Sequence, residues 1–113
     1  MIYHITFASD WQQAMTAGAY TPPAFASEGF IHCCHVQQLV AVGQRYYRGQ
    51  TGLVVLCIDP AQVTAPLRHE PAVGRNELFP HLYGPLNLDA VRRVVPFLPQ
   101  ADGAFVVPGE LLT

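Results

Sequence analysis

The sequence predicts an α+β fold, with two early helices packed on small, mostly antiparallel sheets. Three observations predict it. An alternating stretch, "MIYHITF", opens the chain. Two segments with apolar residues at helical spacing follow within the first half. The second half consists of short apolar or alternating runs closed by prolines. With 113 residues, half of them apolar and 12% charged, the chain is expected to form a single domain over 1–113 with its own core.

Each element has a local reason. In "MIYHITF", Ile2, His4 and Thr6 share one face of a strand, and Tyr3, Ile5 and Phe7 the other. "SDWQQAMTAGAY" reads as a short amphipathic helix. Ser9 and Gln12 have capping-box spacing, Trp11, Ala14 and Met15 form the apolar stripe, and Gly18 is the stop. "YTPPAFASEG" is expected to be a loop, because Pro22-Pro23 excludes helix and removes ladder donors. "FIH" is briefly extended. From Cys34, at the N-cap, the spacing of Val36, Leu39, Val40, Gly43 and Tyr47 predicts a second helix ending near Gly49.

"LVVLCI", apolar throughout and closed by Asp59-Pro60, predicts a buried central strand. "PLRHEP" is a short strand on which Arg68 and Glu70 face away from Leu67 and His69. "AVGRNELFPHLYGPLNLD" is expected to be loop-rich. "AVRRVVPF" and "GAFVVP" are expected to be two final strands, paired through a turn at Asp102-Gly103. The aromatic pair Tyr46-Tyr47 is expected to pack against the central strand, a dimer face being the alternative.

Charge and cysteine usage narrow the partners. A net charge of −2 with six basic residues argues against nucleic acid, since Arg45, Arg48 and Arg92-Arg93 make no continuous basic stripe. A small ligand is the natural partner. Three cysteines are an odd number, which fits free thiols in a reducing cytoplasm. His4, Ser9 and Asp10 interrupt any signal-peptide pattern, and "LVVLCI" is too short to span a bilayer.

The stretch "IHCCH" invites a metal reading, but structural zinc sites space their ligands by two or more residues and need four of them. No metal is expected. Cys33 reads as a small apolar filler and Cys34 as a helix cap, with His35 on the first turn near solvent. His32 ends an extended segment, where side chains commonly face a cleft. His4 shares its face with Thr6. For either histidine the alternative is an imidazole satisfied within the core. In "FPHLYG", His81 and Tyr83 lie two apart, so an extended backbone points both the same way. Pro80, Gly84 and Pro85 stiffen that segment as a platform for a planar ligand. Glu70 and Glu77 are the acidic candidates nearby. No G-x-G-x-x-G or P-loop motif is present.

"IYHIT", the helix with Trp11, "GFIHCC", "VLCIDP", "LRHEP" and "ELFPHLYGPL" together resemble domain-of-unknown-function family 952, over almost the whole chain and in the right order. Cys34 departs from the family pattern, where Ser or Thr is usual. More distantly, "YHIT…GFIH" is similar to the opening of the ADP-ribosyltransferase superfamily, which includes the RNA 2'-phosphotransferases. Ile5 replaces the glycine usual there.

That resemblance implies an ADP-ribosyltransferase-like fold with no permanently bound cofactor. NAD or an ADP-ribose-like nucleotide would be the ligand. It implies that His4 hydrogen-bonds a ribose and that His32 shapes the nicotinamide end of the pocket. Glu70, or in its place Glu77, would be the acid. The implied catalytic set is His4, His32 and Glu70, with Thr6, Glu77, His81 and Tyr83 as ligand contacts. The implied chemistry is transfer at the ribose anomeric carbon, whose oxocarbenium-like transition state profits from a nearby carboxylate. The alternatives are a non-catalytic binding module and a histidine-based metal-dependent enzyme.

Overall fold

In a computed structural model the described residues are 1–72, 74 and 76–112. They form a mixed α+β structure of few helices and small antiparallel sheets. Strand β1 (Ile2–Phe7) runs directly into helix α1 (Ala8–Ala17), followed by the two-residue strand β2 (Ala19–Tyr20). A one-turn helix α2 (Phe25–Glu28), strand β3 (Ile31–His32), a 3₁₀ turn at Val36–Gln38 and helix α3 (Leu39–Tyr47) complete the first half. Strands β4 (Leu53–Ile58), β5 (Leu67–Pro71), β6 (Leu78–Leu82), β7 (Leu86–Asn87) and β8 (Val91–Phe97) make up most of the second.

The strands form three sheets, in the orders β1-β4-β8, β2-β7 and β3-β6-β5. As its unbroken apolar run predicts, β4 is central, and Val55, Leu56 and Ile58 are fully buried. Both faces of its sheet are covered. Ile2, Leu56 and Ile58 join one apolar cluster, and Ile5, Val55 and Phe97 join another. β1 therefore buries both faces, one with Ile2, His4 and Thr6 and the other with Ile5.

Several elements depart from the sequence expectation. Helix α1 begins at Ala8 rather than after a Ser9 cap. β1 leaves no loop before it, and the Gly52 carbonyl takes the Ala8 N–H at 2.8 Å. Of its apolar stripe Ala14 is buried, whereas Met15 is exposed. The stop at Gly18 holds: its φ of 91° permits the left-handed turn that returns its N–H to Ala14. After Pro22-Pro23 the chain manages one helical turn, because the Phe25 N–H bonds the Pro22 carbonyl.

Cys34 is not a cap. Its backbone exchanges two 2.8 Å bonds with Tyr3, so the chain is still extended there and helical structure starts two residues later. His35 precedes the 3₁₀ turn instead, its N–H held by Gln38 Oε1 at 2.8 Å. Tyr47 packs edge-on against Phe7, but Tyr46 is exposed beneath Arg45.

Residues 78–82, expected to be loop, are a strand between two partners. Pro80 is tolerated because a residue's nitrogen and carbonyl point to the same side of a strand. The Pro80 carbonyl accepts the Cys33 N–H just beyond the end of β3, so the missing donor falls where pairing stops. The loop expectation at positions 73 and 75 lies outside the described residues.

The expected last strand, "GAFVVP", does not form. Residues 100–104 make a turn, and Phe105 folds back to stack on Phe97 with centroids 4.4 Å apart. Both rings press on α3 at Gly43, where a Cβ would lie 2.9 Å from Phe97 Cε2. Burying Phe105 against α3 wins over extending the sheet.

Candidate functional site

A cavity of about 580 Å³ opens beside β1 and is walled by β3, β6 and α3. His4, Thr6, His32, Glu77 and His81 all line it. Glu70 and Tyr83 stand behind His81 rather than on the wall. The strand pairing explains this convergence. His32 pairs directly with His81, and His81 pairs with Arg68, so side chains from β3, β6 and β5 emerge on one face.

His4 is held on both sides. Its Nδ1 lies 2.5 Å from the His32 carbonyl, which only accepts, so Nδ1 carries the proton. Burial pushes this imidazole from its usual 6.5 down to about 4, against the His32 hydrogen bond, so it stays neutral at pH 7. Nε2 is then an acceptor and takes the Tyr20 hydroxyl proton across 2.7 Å. Tyr20 has one proton to give, so in the 2.9 Å contact Thr6 Oγ1–H donates to the Tyr20 oxygen. Burial also raises the Tyr20 phenol. The result is a closed relay of backbone carbonyl, imidazole, phenol and hydroxyl that ties β1, β2 and β3 together.

His81 is organised differently. It is 3% exposed, and its Nδ1 lies 2.9 Å from Glu70 Oε1, to which the Tyr83 hydroxyl also donates. The Tyr83 bond first, and then the His81 bond, hold the Glu70 carboxyl below its usual range. The same contact with Glu70 raises the Tyr83 phenol. Phe30 stacks on the His81 ring at 4.1 Å and 22° and also touches Tyr83 and His32. The Arg68 guanidinium lies 5.1 Å from the centre of the Tyr83 ring. With Nδ1 aimed at a carboxylate, Nε2 is left a buried nitrogen with no hydrogen-bond partner among the described residues.

His32 is exposed, and its Nε2 contacts Glu28 at the end of α2. Glu77 reaches the same cavity from the start of β6, where Gln38 Nε2 donates to its carboxylate at 3.0 Å. Gln38 Nε2 also donates to the Leu78 carbonyl at 2.9 Å, pinning α3 to β6.

Cys33 and Cys34 are buried at the cavity wall. Burial pushes the Cys33 thiol strongly up and the Cys34 thiol up to about 12, so both remain protonated. His35 stacks with His69 at 5.3 Å and 8°. Among the described residues no group of three or more His, Cys, Asp or Glu side chains gathers in a metal-binding arrangement.

Four site residues escaped the sequence reading: Tyr20, Phe30, Glu28 and Gln38. Phe30 could have been found, since it lies two before His32 on an extended stretch and shares its face. Glu28 likewise lies four residues from its partner. Tyr20 gave no local signal and Gln38 only its three-residue spacing from His35, because their partners in the site lie 14 to 40 residues away.

Fold and site together define a small α+β protein with a histidine-lined cavity whose wall is assembled from short antiparallel strands. The chain belongs to the family described as "Protein of unknown function (DUF952)", whose model matches residues 5–94. It is similar to protein CC0527 from Caulobacter crescentus in two crystal structures, one of them of a double mutant. In each, 29% identity covers 99% of this chain and 98% of that one, with a TM-score of 0.88. The solution NMR structure of CC0527 is 31% identical over 91% of this chain and 89% of that one, with a TM-score of 0.80. None of the curated proteins matches the chain. No helix among the described residues is long and apolar enough to cross a membrane.

Proposed function

We propose that the chain is an ADP-ribosyltransferase-like protein that binds a small nucleotide of the NAD or ADP-ribose type, with the base-plus-ribose end inside the cavity. The observation that carries this reading is the meeting of His4, His32 and His81 at one cavity of ligand size. The first two come from the "YHIT…GFIH" pattern and are joined by the His4–His32 contact. Aromatic rings at the wall supply apolar faces for a base, and Thr6 and His32 supply polar atoms for a ribose. Among the described residues lining the cavity, Arg45 is the cation that could meet a phosphate. With three free thiols such a protein suits a reducing cytoplasm.

Transfer at the anomeric carbon needs a carboxylate on the wall. Glu28, in contact with His32, and Glu77, which accepts from Gln38, line the cavity, whereas Glu70 stands behind His81. The non-catalytic alternative, a nucleotide-binding module, is favoured by one feature: the ring nitrogens of His4 are both engaged within the protein.

The test is a titration of the ¹⁵N-labelled chain with NAD and, separately, ADP-ribose, read by backbone amide shifts. Shifts clustered at residues 4–6, 30–33 and 79–81 are the expected result. No shift at millimolar ligand refutes nucleotide binding. Release of nicotinamide from NAD, lost in Glu28→Gln or Glu77→Gln, separates a transferase from a binding module.

A further inference from the structure

We propose that His81 is a proton acceptor of the cavity, positioned by Glu70, and that it serves a neutral planar group of the ligand offering an O–H or N–H. The inference rests on the cavity being a ligand site, but not on the ligand being a nucleotide.

A buried polar atom without a hydrogen-bond partner is costly, and such an atom in a native protein asks for an explanation. Among the described residues His81 Nε2 is one, on a ring that lines the cavity. The groups around it form an acid–base arrangement. Glu70 accepts from Nδ1–H and fixes the tautomer, Tyr83 donates to the same carboxylate oxygen, and Arg68 lies over the Tyr83 ring. Phe30 covers one face of the imidazole, and the His32 ring stands edge-on to it at 5.4 Å. His32 is exposed, so a rotation of its side chain away from Glu28 is the movement that admits a ligand donor.

The proton balance is simple. The ligand's O–H or N–H proton moves to Nε2, and its bonding pair stays on the ligand as the conjugate base. The imidazolium so formed keeps Nδ1–H on the Glu70 carboxylate, which remains ionised and offsets the charge. Glu70 is thus a positioning residue, and His81 meets the ligand.

The charge on the wall selects the ligand class. Among the described lining residues Asp10, Glu28 and Glu77 stand against Arg45. Carboxylates on the wall disfavour an anionic group beside His81, so a neutral O–H or N–H, such as a base or a ribose offers, is the natural partner of the imidazole nitrogen.

Long-range ¹H–¹⁵N spectra of the imidazole side chains test this directly at pH 7.5. In the unliganded protein His81 is expected to carry its proton on Nδ1, with Nε2 at the chemical shift of a bare nitrogen. Glu70→Leu, which removes the acceptor, is expected to shift that signature toward a mixture of tautomers, with the amide dispersion of the fold retained. Phenol at millimolar concentration is expected to move the Nε2 resonance, whereas anisole, of nearly the same shape but lacking the O–H, leaves it in place. A proton on Nε2 in the unliganded protein overturns the assignment. So does an unchanged tautomer in Glu70→Leu. Equal responses to phenol and anisole, or no response to phenol, overturn the ligand class. Failure of nucleotide binding shows instead as missing amide shifts with NAD, whatever the state of His81.

Discussion

Acidification from pH 7 to pH 5 is expected to cost the protein stability through His4. Buried and neutral, its imidazole is held at about 4, against 6.5 when exposed in the unfolded chain. Between those values the unfolded state binds a proton that the folded state refuses, so stability falls as pH falls from 6.5 toward 4. The loss begins near pH 6.5 and is complete below the folded value. With these two values, most of the unfolded chains and few of the folded ones are protonated at pH 5. The loss between pH 7 and pH 5 is then about 2 kcal/mol, at about 1.4 kcal/mol per pH unit. For a urea slope of about 2 kcal/mol/M the midpoint drops by about 1 M.

Glu70 titrates elsewhere. Its carboxyl is held below the usual range, so its contribution is present above that range and disappears as pH falls through its lowered folded value. That loss lies largely below the window of His4. The assay is urea unfolding at pH 7, 6 and 5 for the natural chain and for His4→Gln. The variant is less stable at pH 7, because Tyr20 and the His32 carbonyl lose their partner, but its midpoint should change little with pH. Parallel pH dependence in the two chains would falsify the assignment of His4 as a neutral, buried structural imidazole.

Three further outcomes follow from the same packing. Tyr20→Phe removes the hydroxyl between His4 and Thr6 and leaves a buried acceptor unpaired. Stability should drop by about 1–3 kcal/mol in urea unfolding, and an unchanged midpoint would show that the relay is not formed. Gly43→Ala gains helix propensity but drives a methyl to 2.9 Å from Phe97 and 3.1 Å from Phe105, two buried stacked rings. A net loss of about 1–3 kcal/mol in thermal melts is expected, and a stabilised variant would refute that packing. Cys33 and Cys34 should react with a thiol reagent at pH 8 only on unfolding, since burial keeps both protonated and covered. Rapid labelling of the native chain at these positions would contradict their place in the wall.

The sequence by itself determined the elements whose reasons are local. Alternation fixed β1, an unbroken apolar run fixed β4 as the central strand, and Gly18 fixed the end of α1. The two-residue spacing of His81 and Tyr83 was enough to predict a shared face, and both meet Glu70. Local rules also misled where a distant partner decided the outcome. The stretch around Pro80 reads as loop-rich, yet 78–82 pairs as β6, because β3 ends where the donor missing from Pro80 would be needed. "GAFVVP" reads as a strand, yet Phe105 gains more by stacking on Phe97 against α3. Tertiary structure alone decided how the histidines differ. His4 has both ring nitrogens engaged because Tyr20 and the His32 carbonyl, 16 and 28 residues away, converge on it. At His81 the strand register brings Glu70 to Nδ1, and Nε2 meets no partner among the described residues. A side chain's type is written in the sequence, but the partners that set its protonation arrive only with the fold.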